Sequence, residues 1–348
     1  MIRRQTRSVR VGAVCIGGGA PVSVQTMLDD DPHDVESIAS HIESCRAVGA
    51  DIVRLAIPDV GGVAALAEVK RRTCVPVVSD IHFDYRLALG AIEAGTDALR
   101  LNPGNIGPRE RVREVARAAM RRGIPIRIGV NGGSLERGES LVSSAMANLK
   151  VLEEEGFRDV VLSVKASNVE DTLEAYRELS SMTDCPLHLG LTEAGAFLRG
   201  AVHSSVALGI LLSEGIGDTI RVSLTDKPET EARVGLEILR ALGLRKGGVS
   251  VTSCPTCGRT KVDLKRIVRE VEDGFVGIAV DGPAVHVAVM GCAVNGPGEA
   301  KGADVALCGG DGDFVLYRRG IPAGRVSQAE AAKAVVEAVL ADFQSKRG

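Results

Sequence analysis

Cys254, Cys257 and Cys292 are the residues whose type and spacing point most directly to chemistry. The first two form a C-x-x-C in "SCPTCG", and the third follows 35 residues later in "GCAVNGPGEA", so three thiolates are available to one metal centre. Two metals compete for them. A structural zinc wants four protein ligands, with Cys308 as the fourth. A [4Fe-4S] cluster wants one ligand per iron, and three cysteines leave one iron for a weaker ligand or for substrate. Glu299, seven residues after Cys292, is the other fourth candidate, because a rigid Gly-Pro-Gly reversal returns its carboxylate toward the centre. An oxygen ligand on iron is displaceable and suits a centre that takes substrate there. The competing readings are a solvated glutamate on a turn and, for Cys308 in the alternating apolar run "DVALCGG", simple core packing. Cys15, Cys45, Cys74 and Cys185 are scattered among apolar neighbours and read as small packing residues.

A second set is cationic. Arg54 in "IVRLA", Arg100 in "ALRLN", Arg127 in "PIRIG" and Arg221 in "TIRVS" each sit between apolar residues, and Lys165 ends "SVKAS". One such arginine is readily explained by its stem lying on apolar surface with the head in water. Five together are harder to explain, since each buried cation costs several kcal/mol unless an anion compensates it. The carboxylates on the same runs are Asp80 and Glu193, too few for five cations. The set therefore predicts an anionic ligand, most naturally one with phosphate oxygens held by arginine forks. His82, Asn102, Asn131, His188 and Ser223 end the same runs and supply hydrogen bonds. His188 alone would read as structural, but Glu193 five residues on makes proton transfer a reading to test.

These groups need a scaffold that gathers strand ends. Eight β-rich runs begin near residues 22, 51, 75, 98, 125, 159, 186 and 219, separated by amphipathic stretches such as "DVESIASHIESCRAVGA", "RERVREVARAAMRRG" and "KPETEARVGLEILRALG". Mostly apolar strands alternating with helices imply parallel βαβ units covered on both faces. Eight units predict an N-terminal (β/α)8 TIM barrel, whose chemistry lies at the C-terminal ends of its strands. A doubly wound sheet is the alternative, but no G-x-G-x-x-G follows the first strand. After "LRKGGVS" the rhythm changes to an α+β pattern, with strands expected at 249–254 and 284–292, two edge strands at 303–310 and 313–320, and helices at 261–274 and 327–343. The expected domains are 1–244, a substrate-binding barrel, and 245–348, a metal-cluster domain holding Cys254, Cys257, Cys292 and Cys308.

Bulk composition narrows the function classes. A net charge of -3 with no tryptophan and few other aromatics argues against nucleic acid, which wants a basic face and stacking surface. The N-terminal stretch lacks the apolar run of a secretory signal, so a cytoplasmic location with reduced thiols is expected. No segment approaches the 18 or so apolar residues that span a bilayer.

Taken in order, "VQTM", "GADIVRL", "DIHFDYRLAL", "LRLNPGNIG", "IPIRIGVN", "SVKAS", "PLHLGLTEAG", "LLSEGIGDTIRVSL", "CPTCGR" and "GCAVNGPGEA" resemble the motifs of the 4-hydroxy-3-methylbut-2-enyl diphosphate synthases of the non-mevalonate isoprenoid pathway, in their bacterial two-domain form. The resemblance runs nearly end to end, with small departures at "VNGGSL" and "ASNVED". It implies that Cys254, Cys257, Cys292 and Glu299 hold a [4Fe-4S] cluster and that the barrel takes 2-C-methyl-D-erythritol 2,4-cyclodiphosphate. It further implies a two-electron reductive dehydroxylation, with Glu193, then His82 and Asp80, as candidates for the acid that protonates the departing hydroxyl. Arg54, Arg100, Asn102, Arg127, Asn131, Lys165, His188, Arg221 and Ser223 become substrate contacts, as does Asn295 between two cluster ligands. Ferredoxin or flavodoxin is the implied electron donor, and a homodimer is implied in which one subunit's cluster domain caps its partner's barrel. The reading from another class is a barrel transferase or lyase for a phosphorylated or pterin-like substrate with a zinc-stabilised tail.

Overall fold

The computed structural model describes residues 2–135, 138–278, 284–294 and 296–347. The chain divides into two compact units, Met1–Arg245 and Lys246–Gly348. Among the described residues no helix is long and apolar enough to cross a membrane.

The first unit opens with an antiparallel hairpin, β1 (Ser8–Val11) and β2 (Val14–Gly17). Eight parallel strands follow: β3 (Ser23–Met27), β4 (Ile52–Ala56), β5 (Val77–Ile81), β6 (Ala98–Leu101), β7 (Ile126–Asn131), β8 (Val160–Lys165), β9 (His188–Leu189) and β10 (Thr219–Ile220). Their order is β8-β7-β6-β5-β4-β3-β10-β9, and a parallel bridge between Leu162 and Leu187 closes the ring. All eight expected runs thus contribute a strand to one barrel. Several of the helices between them start where the sequence offers an acceptor for orphan N–H groups: Asp34 accepts from Ser37 N at 3.0 Å and Asp59 from Gly62 N at 2.9 Å. Their apolar stripes cover the barrel in one large core built from residues such as Ile38, Leu66, Leu99 and Leu162.

The inside of the barrel is layered, as the period-two geometry of a strand requires. At the floor Ile52, Val78, Ala98 and Val161 pack against Val9, Val11 and Ile16 of the hairpin, which plugs this end. That hairpin was not expected from the sequence: its strands are four residues each, too short for periodicity to register. One layer above the floor the inward positions change character, to Arg54, Asp80, Arg100 and Arg127. Register places Asp80, Arg100 and Arg127 in one row across three neighbouring strands, Asp80 opposite Arg100 and Arg100 opposite Arg127.

The second unit is a five-stranded sheet in sequence order: β11 (Gly248–Ser253), β12 (Ala284–Met290), β13 (Val305–Gly309), β14 (Phe314–Arg318) and β15 (Ile321–Val326). The first three run parallel, and β14 and β15 are antiparallel to their neighbours. Helices Leu264–Gly274 and Ala331–Arg347 join it in one core through Ile267, Val271, Val335 and Val339. Ala300, at the end of the short helix Gly296–Ala300, packs with Ala288, Met290 and Cys308 in a separate cluster. The two strands expected at the edge, 303–310 and 313–320, correspond to β13 and β14, which lie inside the sheet. The edge is taken by β15, which carries Pro322 and Gly324 and is almost wholly exposed. Both residues weaken a strand signal, and proline within a sheet is tolerated at such an edge.

Candidate functional site

The barrel's charged layer opens into a cavity of about 90 Å³ at the C-terminal ends of the strands, the end where (β/α)8 barrels place their chemistry. Arg54, Arg100, Arg127, Asn131, Lys165, His188, Arg221 and Ser223 all line it. Eight side chains singled out from six separated stretches of sequence therefore meet around one small volume.

Each cation is held differently. Arg100 donates to Asp80 at 3.1 Å and to the Gly129 carbonyl at 3.3 Å, while Arg54 Nε lies 3.4 Å from the other Asp80 oxygen. Arg127 is buried and donates to Gln25, but its Nη2 is buried with no partner among the described residues. Arg221 is paired through Nε and Nη2 with Glu231, at 3.0 to 3.3 Å. Lys165 Nζ has no ion pair among the described residues. Two glycines admit these groups. A Cβ at Gly129 would stand 2.6 Å from Arg100 Nε, and one at Gly190 would stand 2.8 Å from Lys165 Nζ.

The electrostatic consequence is an excess of positive charge in a poorly solvated space. Five cations face two buried carboxylates, Asp80 and Glu231. Burial and the surrounding arginines hold the Lys165 ammonium well below its usual range, and they push Arg127 down in the same way. Burial brings Arg54 down to about 10, against the opposing pull of Asp80. His188 is buried, pushed well below the usual histidine value by burial and by Arg127 and Lys165, and hence neutral. Its Nδ1 lies 3.4 Å from Thr219 Oγ1, and its Nε2 is buried without a partner among the described residues. Orphaned donors beside uncompensated cations are what an anion with several oxygens would satisfy.

The three acid candidates separate. Asp80 is 2% exposed. Burial alone would raise its pKa, but Arg54, a hydrogen bond from His82 and Arg100 outweigh it and hold the carboxyl well below the usual range. An acid already ionised at neutral pH has no proton to give, so the geometry makes Asp80 a counter-ion rather than a proton donor. His82 is about half exposed, with Nε2 3.4 Å from Asp80. Glu193 is exposed on the loop after β9, one residue beyond Thr192, which lines the cavity. Its backbone lies in the left-handed region at φ 55°, where non-glycine residues are uncommon and mark constrained sites. Asn102 is buried at the end of β6 and does not line the cavity. Asn295 lies outside the described residues.

Sequence reasoning missed Gln25, Thr192 and Glu231. Gln25 carries a readable signal, a polar residue in the apolar run "VSVQTM". Glu231 does not, because an acidic residue in the first turn of the helix Pro228–Ala241 looks like an ordinary complement to the helix dipole.

In the second unit the candidate ligands gather at the ends of two paired parallel strands. Cys254 directly follows β11 and Cys292 lies two residues beyond β12, with Ser253 opposite Val289 in register. Cys254 Sγ accepts from Gly291 N at 3.4 Å, which brings the two cysteine segments together. Cys257 is exposed, and hydrogen bonds from the Arg259 backbone and side chain lower its thiol pKa. Between Cys254 and Cys257, Thr256 holds φ 68°, an outlier for a β-branched residue. Glu299 is exposed on the short helix Gly296–Ala300. Cys308 is buried on β13, its thiol pushed up to about 11 by burial, which suits packing better than ligation. The donor chemistry, three thiols that follow β11 and β12 and one carboxylate on the Gly296–Ala300 helix, fits an iron–sulfur cluster. Among the described residues, the side-chain sets compact enough for a single ion are His41, Cys45 and Glu229, and Asp29, Asp30 and His41, in the barrel unit.

Comparison with known proteins matches both units. Residues 6–236 match the family model described as the GcpE TIM-barrel domain, and residues 250–341 match that of the GcpE protein C-terminal domain. A 4-hydroxy-3-methylbut-2-en-1-yl diphosphate synthase (flavodoxin) of Geobacter sulfurreducens is 48% identical over 98% of this chain and 99% of its own length. The enzyme of the same name from Symbiobacterium thermophilum is 49% identical over 97% of this chain and 93% of its own. Among solved structures, the Yersinia pestis dihydropteroate synthase superposes with a TM-score of 0.52 at 13% identity, covering 68% of this chain and 97% of that one. That likeness speaks for the barrel fold alone.

Proposed function

Since this chain belongs to the GcpE family, we propose that it is a 4-hydroxy-3-methylbut-2-enyl diphosphate synthase, converting 2-C-methyl-D-erythritol 2,4-cyclodiphosphate to (E)-4-hydroxy-3-methylbut-2-enyl diphosphate. The observation that carries this reading is the cavity lined by five cations, whose ion-pair partners among the described residues are only Asp80 and Glu231 behind the wall, a match for a small cyclic diphosphate. In the reaction the C2–O(phosphate) bond breaks, the C3 hydroxyl leaves as water, and two electrons with their balancing protons enter.

Arg54, Arg100, Arg127, Lys165 and Arg221 hold the two phosphoryl groups, and their excess charge stabilises the diphosphate released from C2. Asn131, His188 and Ser223 orient the polyol from the cavity wall, with Asn102 supporting from the neighbouring strand end and Asn295 assigned from sequence alone. The neutral His188 donates a hydrogen bond without adding charge. Glu193 is the proton donor to the leaving hydroxyl, and His82 is the next candidate. Asp80 keeps Arg54 and Arg100 oriented.

Cys254, Cys257, Cys292 and Glu299 are the residues that would hold a [4Fe-4S] cluster. Such a cluster supplies single electrons and a Lewis-acidic iron whose oxygen ligand is exchangeable. The Gly296–Ala300 segment then carries the exchangeable ligand, while the thiols carry the permanent ones. Flavodoxin is the proposed donor, after the relatives' names. The proposed assembly is a cytoplasmic homodimer in which one subunit's cluster domain caps its partner's barrel, and the exposed Leu198, Val202 and Val206, at helical spacing on Phe197–Ser213, offer an apolar face for pairing.

The test is anaerobic purification followed by iron and sulfide analysis and turnover with reduced flavodoxin. About four irons and four sulfides per chain, with product formed from the cyclodiphosphate, are expected. A colourless protein with one zinc and no turnover would leave the zinc-stabilised transferase in its place.

A further inference from the structure

We propose that Glu231 is a positioning residue for this reaction, locking Arg221 and the loop that carries Ser223 into the geometry that receives the diphosphate. The proposal rests on the cyclodiphosphate reading above. β10 pairs with β3 through only two residues, Thr219 with Ser23 and Ile220 with Val24. Beyond them the backbone ladder between the two strands stops. The Glu231 carboxylate takes over the join. One oxygen accepts from Arg221 Nη2 at 3.0 Å and from Leu224 N at 2.9 Å, and the other faces Arg221 Nε at 3.3 Å and Thr26 Oγ1 at 3.1 Å. A single side chain thus ties β3, the end of β10, the 221–224 loop and the helix Pro228–Ala241. Thr26 also faces the Pro228 carbonyl at 3.0 Å, so the helix start is held on both sides.

Glu231 is 3% exposed and does not line the cavity, which distinguishes positioning from contact. Its carboxylate engages Nε and Nη2 of Arg221 and leaves Nη1 without a partner among the described residues. A guanidinium gripped on one edge presents its remaining donors in a fixed direction, and a pre-set donor loses less freedom when an anion arrives. Asp80 does the same on the opposite side for Arg54 and Arg100. The cavity therefore has two oriented corners, with Lys165 and the second edge of Arg127 between them.

The experiment is a double-mutant cycle on the holoenzyme with Glu231→Gln, Arg221→Gln and the pair, reading KM and kcat for the cyclodiphosphate, affinity for inorganic pyrophosphate, melting temperature and cluster absorbance. Glu231→Gln keeps the side-chain volume but turns an amide toward the guanidinium. It is expected to raise KM and weaken pyrophosphate binding by roughly tenfold or more, with cluster absorbance unchanged. In the Arg221→Gln background the same change is expected to cost less than about twofold, because it acts through Arg221. Losses that multiply in the double variant, or a Glu231→Gln enzyme with wild-type KM and pyrophosphate affinity, overturn the proposal. If Glu231→Gln does not fold, Thr26→Val removes one of the five bonds to the carboxylate and is expected to raise KM by roughly two- to threefold, and an unchanged KM there overturns it equally. Failure of the wild-type enzyme to turn over the cyclodiphosphate strikes the functional reading instead, while the pyrophosphate cycle still reads Glu231.

Discussion

The Asp80 carboxylate accepts from the Arg100 guanidinium at 3.1 Å while its other oxygen faces Arg54 Nε at 3.4 Å. One anion thereby orients two cations of the cavity, and its removal leaves both buried charges uncompensated. Asp80→Asn is expected to destabilise the free protein by about 3 kcal/mol, the usual cost of breaking a buried pair from one side. Because its folded-state pKa is depressed, the carboxylate's contribution is fully present above the unfolded carboxyl value and is lost as pH falls through the folded value. Urea melts across the acid range check this: the wild type should lose stability with falling pH more steeply than Asp80→Asn. Added pyrophosphate should stabilise the variant more than the wild type, and equal stabilisation would show that Asp80 does not govern the charge balance.

Much of this site could be read from the sequence, for a specific physical reason. An arginine inside an apolar strand breaks the pattern that strand burial imposes; one could be a snorkelling side chain, but Arg54, Arg100, Arg127 and Arg221 stand out as a set. The barrel is legible because its strands are covered on both faces and alternate with amphipathic helices. What could not be read depends on proximity through space. Gly129 and Gly190 look like ordinary glycines until the arginine and lysine beside them are seen. Glu231 reads as a helix-start acid until Arg221 and Leu224 meet it. The identity of Asp80 as counter-ion rather than acid depends on two arginines from neighbouring strands, and no local pattern reports that.

Lys165 should give substrate binding a pH dependence. In the free protein its ammonium is disfavoured, first by burial and then by Arg221, Arg54, Arg127 and Arg100 around it. A bound dianion restores the charged form, so binding above the depressed pKa must take up a proton. Affinity is then constant below that pKa and falls as pH rises through it. Profiles of kcat/KM against pH for the wild type and Lys165→Met check the assignment. The variant should bind more weakly at neutral pH and lose this alkaline limb, whereas a limb that survives the substitution would assign it to another group.

Glu299 is distinguished from the three cysteines by what its loss should leave behind. In the proposed cluster the thiols would be the permanent donors, so replacing any one of them would remove a ligand that iron holds tightly. Glu299 lies on the Gly296–Ala300 helix, whose first residue touches the buried Cys308: a Cβ at Gly296 would stand 2.7 Å from its Sγ. That contact anchors the segment to β13 independently of any metal. Glu299→Gln keeps the segment's shape while weakening the oxygen donor, so it is expected to retain a substantial part of the iron and sulfide content but lose most turnover. Cys292→Ser should lose most of both. Iron and sulfide analysis beside single-turnover kinetics on anaerobically purified protein separates the cases. Wild-type turnover in Glu299→Gln would remove the carboxylate from the ligand set, and the fourth position would then belong to substrate or solvent.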